Sequence, residues 1–202
     1  MNKFYTLLTA LAFSLTVSAQ EQAQQTSSAG TVEKSMFNIQ TGLIGFWASY
    51  EARLSDKWTL RTEAGLDLWT FETEYSNFNS TKKETEAAFV PSISIEPRWY
   101  YNISKRSEKG KYTANNSANF ITVAVEYYPD LFLIGNVPDF IYMPDQISII
   151  PKWGMRRAIA SSSFNYELGA GVGYIAYLQK EGYMKQSNNV AIDIHARIGY
   201  TF

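Results

Sequence analysis

The placement of charge limits this chain more than any other feature. Seven segments after Met36 alternate with period two, and within them every Asp, Glu, Lys, Arg and His falls on one face. Residues 44–54 set Glu51 and Arg53 opposite Phe46, Tyr50 and Leu54, and residues 58–69 set Arg61, Glu63 and Asp67 opposite Leu60, Ala64 and Leu66. The pattern recurs with Glu96 and Arg98 in 89–101, Glu126 in 120–128, and Lys152 and Arg156 in 147–156. It closes with Glu167 in 164–179, then Asp193, His195 and Arg197 in 190–202. Strict alternation over such lengths is a strand signal, and the turn at 54–57 makes the first two segments a hairpin.

The face opposite the charges carries none, and Thr62 is nearly its only polar residue. A water-soluble sandwich or lipocalin-like barrel would turn the charged face outward around an apolar core. Trp58, Trp99, Tyr101, Tyr127, Trp153 and Phe202 stand near segment ends, where headgroup-level aromatic girdles belong. An apolar outside around a polar inside implies lipid as the solvent, and only a closed barrel crosses lipid with its strand backbones satisfied. The expected fold is all-β: an antiparallel transmembrane up-and-down β-barrel of about eight strands.

Two features strain that expectation. Pro91, Pro97 and Pro151 fall inside strand segments of a closed sheet, so bulges or strand ends are expected there. Seven segments also leave an odd count, whereas bacterial barrels are even. The missing strand is assigned to residues 32–39, turning at 40–42. If Phe202 ends in the periplasm, connections 72–86 and 129–146 face the exterior as loops. Those at 55–57 and 158–163, with an unusually long one at 102–118, then face the periplasm.

Composition removes other classes. The 202 residues hold no cysteine and one histidine, excluding thiolate sites and multi-histidine metal centres. Eighteen basic residues nearly cancel nineteen acidic ones, so no basic field exists for nucleic acid. Lys3, the charge-free apolar run 4–17 and the small residues Val17-Ser18-Ala19 form a secretory signal over 1–19. A flexible Gln/Ser/Ala-rich lead over 20–31 and a barrel domain over 32–202 follow.

The closing segment Ala191-Ile192-Asp193-Ile194-His195-Ala196-Arg197-Ile198-Gly199-Tyr200-Thr201-Phe202 resembles the last strand of Gram-negative outer-membrane proteins. In that family alternating apolar residues and a terminal Phe are the signal read by the barrel-assembly machinery, which would fall here on Tyr200 and Phe202. The stretch Pro91-Ser92-Ile93-Ser94-Ile95-Glu96-Pro97-Arg98-Trp99-Tyr100-Tyr101-Asn102 is similar to small outer-membrane barrels of Bacteroidota-type bacteria, of the OmpX or OmpA-barrel kind. The resemblance implies an outer-membrane location, with membrane lipid and the assembly machinery as partners, a monomeric state and no cofactor. It implies no reaction.

The charged face supplies the candidate site. Acids Glu51, Glu63, Asp67, Glu96, Glu126, Glu167 and Asp193 meet bases Arg53, Arg61, Arg98, Lys152, Arg156 and Arg197, with His195 among them. An eight-stranded barrel is just wide enough for its side chains to fill, so near-neutrality favours an interior ion-pair network. A selective pore would favour one sign. Asp193 and His195 at spacing two could orient a general base, as in lipid-modifying barrel enzymes, but no serine can be paired with them. Gly169, Gly171 and Gly173 lack the helix of a nucleotide loop and are expected to make room for bulky lumen residues of other strands, such as Trp47 or Trp69. The basic stretch 105–111 is expected to be a solvated loop, and Asp130, Asp139 and Asp145 lack calcium-site spacing. The expectation is a non-catalytic envelope barrel whose apolar loop 130–146 covers the mouth or meets a partner. The alternatives are a channel for small solutes or a lipid A-modifying enzyme.

Overall fold

The computed structural model describes residues 30–77, 80–138, 140–178 and 190–202. The expected signal and nearly all of the lead lie outside them, as does Asp139. One antiparallel sheet contains β1 (Ser35–Gly42), β2 (Gly45–Ser55), β3 (Trp58–Asn77), β4 (Ser80–Trp99), β5 (Asn119–Tyr128), β6 (Ile134–Gly135), β7 (Gln146–Ala158), β8 (Phe164–Tyr177) and β9 (Val190–Thr201). Sequential neighbours pair around a ring, and β9 returns to β1 from Asn38↔Thr201 to Gly42↔Arg197. Eight strands of unequal length therefore form the wall. The two-residue β6 pairs only with β4, at Ala88↔Gly135 and Phe89↔Ile134.

Burial is inverted relative to a water-soluble domain. Ile194 is 74 % exposed on the outside, whereas Arg61, Arg156 and Glu167 inside are 0 % exposed. Charged residues are almost never this buried unless paired. The parity read from the sequence is thus the parity of the wall, with outward charges at Arg157 at the end of β7 and at Glu72 and Lys83 where β3 and β4 run past their other neighbours.

The missing strand is β1, three residues later than expected, and its turn is Leu43–Ile44, not 40–42. The expected loop 72–86 is instead a ladder, from Glu72↔Thr85 to Asn77↔Ser80. The prolines make no bulges. Pro91 stands just beyond the last β4–β5 pair, Ile93↔Tyr127. Pro97 interrupts the β4–β5 ladder between Ile95↔Val125 and Arg98↔Thr122 without changing register, and Thr122 Oγ1 donates to its carbonyl at 2.9 Å. Pro151 interrupts β7–β8 likewise, between Ile149↔Tyr174 and Lys152↔Gly171. Each ring lacks an N–H toward one neighbour only, so the cost is a lost rung and not a broken strand.

One end of the barrel is closed by residues 100–118. The basic stretch there is a solvated loop only over 109–111: its first part belongs to helix α1 (Ile103–Glu108), and Arg106 Nε donates to the Ser117 carbonyl at 2.8 Å. Ile103 joins Val32, Tyr100, Ala118 and Phe120 in an apolar cluster at 0–1 % exposure. Asn115 and Asn116 take left-handed φ of 54° and 53°, which asparagine tolerates. That turn lets Asn116 accept the Glu33 N–H at 2.7 Å while its amide reaches into the barrel. Burial pushes the Glu33 carboxyl up, against the Asn115 N–H and Arg53 that favour its charge.

An aromatic belt rings the same end. Trp58 stacks on Trp99, Trp153 donates to the Tyr101 hydroxyl at 3.0 Å, and Phe202 lies 4.9 Å from Tyr200 and 5.7 Å from Phe37.

Candidate functional site

Glu167, projecting inward from β8, is the centre of the lumen. It accepts from Arg61 of β3 at 2.9 Å, from Arg98 of β4 at 2.9 and 3.0 Å, and from Arg156 of β7 at 2.9 Å. Strands β3 and β8 stand on opposite sides of the ring, so the Arg61–Glu167 bond spans its width. Arg156 also donates to Glu51 at 2.8 Å, from β7 to the opposite β2. Two ion pairs thus cross the lumen in one layer.

The remaining charges extend this layer along the axis. Glu96 accepts from Arg98 Nε at 2.7 Å, and Glu63 bonds Arg61 and, at 2.8 Å, Arg197. Lys152 donates to Glu96, Glu126 and Asp193 at 3.0–3.1 Å, tying β7 to β4, β5 and β9. Toward α1, Glu51 also accepts from Thr59 at 2.7 Å and from Asn116 at 2.9 Å, joining the network to the end connection. Each charge of this layer is compensated by a partner, the condition under which burial is tolerated.

Two expected members stand apart. Arg53 sits at the α1 end and donates to the Val32 carbonyl instead of entering the layer. Asp67 has no cation within salt-bridge distance among the described residues; it accepts from Trp47 Nε1 at 3.0 Å and from Ser92. Trp47 in turn carries the Arg197 guanidinium 3.8 Å above its ring.

The glycines of β8 do make room for a lumen residue of another strand, but it is neither Trp47 nor Trp69. Gly169 makes room for the His195 ring, Gly171 lets β8 approach β7 at Pro151 and Lys152, and Gly173 does so at Ile149 and Ile150. Gly65, not the run in β8, leaves the space Trp47 fills. Trp69 packs edge-on against Tyr128 at 5.4 Å.

His195 Nδ1 lies 2.5 Å from Asp193 Oδ1, the orienting pair anticipated from spacing. Its Nε2 is 3.8 Å from Glu167 Oε1 and makes no hydrogen bond. A general base needs a transferable proton within reach, and the group facing Nε2 is an acceptor already held by three arginines. Among the described residues no cluster of three metal-ligating side chains occurs.

The layer does not fill the whole lumen. Away from α1 it borders a cavity of about 220 Å³ whose lining includes Glu63, Asp67, Glu126, Asp193 and Arg197, with Ser94, Trp47 and His195. The sequence missed this cavity because its existence depends on how far each strand runs, which alternation does not encode. Comparison with protein-family models, curated proteins and solved structures finds no match for this chain.

Proposed function

We propose that this chain is a non-catalytic outer-membrane β-barrel that does not conduct, its lumen shut by the Glu167-centred network and its α1 end by residues 100–118. Its role is envelope-structural, with surface contact through the loops opposite α1. Residue parity supports the membrane reading, because exposed isoleucine and valine cover the outside while the ion pairs are within. The signal-like pattern of residues 1–19 and the resemblance of residues 191–202 to an outer-membrane closing strand support the outer membrane as its location.

Two ion pairs crossing the ring carry the non-conducting reading. A conducting pore keeps a water path and favours one sign of charge, whereas here opposite charges bond across the width. Reconstitution into planar bilayers tests this: the expected trace shows no stable openings. Regular single-channel steps would overturn the reading in favour of a solute channel. An altered lipid A mass spectrum on expression would instead make the protein an enzyme.

A further inference from the structure

We propose that the wall between β9 and β3, beyond the Leu43–Ile44 turn, is a lateral portal that admits a single-chain amphiphile with an ammonium head. The inference rests on the membrane placement proposed above.

The portal follows from unequal strand lengths. β9 pairs with β8 as far as Tyr174↔Val190, yet its pairing with β1 stops at Gly42↔Arg197. Residues 190–196 therefore have one partner strand only among the described residues. On the other side β2 leaves β3 at Gly45↔Asp67, and β3 continues beside β4 alone. The β1–β2 hairpin is too short to fill this part of the wall. β1 has 8 residues, below the roughly 9–11 a tilted strand needs to cross a bilayer, while β7 has 13 and β8 has 14.

The turn residues give its depth. Leu43 is 92 % exposed and Ile44 48 %, whereas the turn at the α1 end is Ser55-Asp56-Lys57. An apolar tip fits hydrocarbon and a polar one fits water, so the hairpin ends inside the membrane. An unpaired strand edge in hydrocarbon leaves backbone groups without hydrogen bonds, which is tolerated only where the edge borders protein or a polar cavity.

Such a cavity is present. The 220 Å³ lumen cavity and an apolar outer groove of about 450 Å³ share Ile44, Trp47, Ile194, His195 and Arg197 as lining. The groove continues over Leu43, Trp153, Leu168, Ala170 and Ala196, and its volume is in the range of about 300–1,000 Å³ typical of ligand sites. Polar space inside and apolar space outside, joined at one gap, fit a molecule with a head and a chain.

The head is specified by what the cavity offers. Asp67 has only neutral hydrogen-bond donors, and Glu126 and Asp193 share the single ammonium of Lys152. Ser94 Oγ also lines the cavity and is buried with no hydrogen-bond partner. Four carboxylates, Glu63, Asp67, Glu126 and Asp193, line the cavity against one guanidinium, Arg197, which is held by Glu63, so a cationic head with several N–H groups is complementary.

His195 is the only histidine, and it reports on both spaces. The experiment uses isotope-labelled histidine in the whole protein, held in phosphatidylcholine nanodiscs, and follows the ring signal as dodecylammonium is added. A saturable shift is expected, with butylammonium and dodecyl sulfate needing at least about tenfold more, since each lacks one half of the match. Asp67→Asn should weaken the response about tenfold, and Ala170→Phe should block it by filling the groove. Ala48→Phe, outward on β2 away from the groove, should leave it unchanged. A silent signal, an equal response to dodecyl sulfate, or indifference to both Asp67→Asn and Ala170→Phe would overturn the portal. A protein that never enters the nanodisc sinks the membrane reading, whereas an inserted barrel with a silent His195 sinks only the portal.

Discussion

The two ends of this barrel solve the same packing problem differently. Toward α1 the ring is complete and every strand is paired on both sides. There the lumen is filled by Glu167, Arg61, Arg98 and Arg156 at 0–1 % exposure, and an apolar cluster around Ile103 caps it. Away from α1 the wall loses β1 and β2, charges are shared less completely, and a cavity opens beside Asp67 and Ser94. Eight strands have a width that side chains can fill, so whether a small barrel is solid or hollow at a given level is decided by which residues occupy that level. Stability belongs to the filled half and adaptability to the other.

The comparison can be broken most directly at Glu167. Glu167→Ala leaves three buried guanidinium groups without their shared acceptor, and losing one partner of a buried pair costs about 3–5 kcal/mol. Urea unfolding of the folded barrel should show that loss. A change under about 1 kcal/mol would mean the layer does not hold the ring together.

Next in size is the cap. Ile103→Ala removes a fully buried side chain from the cluster, for which about 2–5 kcal/mol is expected. Hydrogen exchange should localise the loss to α1 and residues 100–118 while the strands keep their protection. Planar-bilayer conductance should stay silent, because the Glu167 layer still closes the lumen.

A third substitution probes the outer face. Ile95→Arg, outward at 48 % exposure, should cost about 2–4 kcal/mol if the wall meets hydrocarbon there. In a water-soluble barrel the same change would be within about 0.5 kcal/mol. The smallest effect is expected in the hollow half. Asp67→Asn keeps an acceptor for Trp47 Nε1 and breaks no ion pair, so stability should move by less than about 0.5 kcal/mol. A large loss there would erase the contrast between the two halves.

The legible part of this structure was what period two controls. Which side chains face inward followed from alternation alone, so Glu51, Arg61, Arg98, Arg156, Glu167 and Arg197 could be assigned to one interior without knowing their partners. Partners were not legible, because Arg61 and Glu167 are 106 residues apart and meet only through ring closure and register. Arg53 shows the limit of parity: it has the lumen phase, but its height on β2 puts it at the Val32 carbonyl. Strand length was the other blind spot. Polar residues 72–86 read as a loop, yet β3 and β4 continue through them, since backbone pairing of two strands by itself imposes no alternation on the sequence. The same reasoning explains α1, whose single buried residue, Ile103, gives no periodic signal.

One experiment bears on the central claim that the apolar outside meets lipid and the charged inside does not. The full chain is expressed in a Gram-negative host, its membranes are fractionated, and the protein is run on a gel with and without boiling. Recovery in the outer membrane, with a band that migrates differently after heating, is the expected result, because a ring closed by β1 and β9 resists detergent until it is melted. A soluble periplasmic protein with no heat-dependent shift would contradict the account, and the two faces would have to be exchanged.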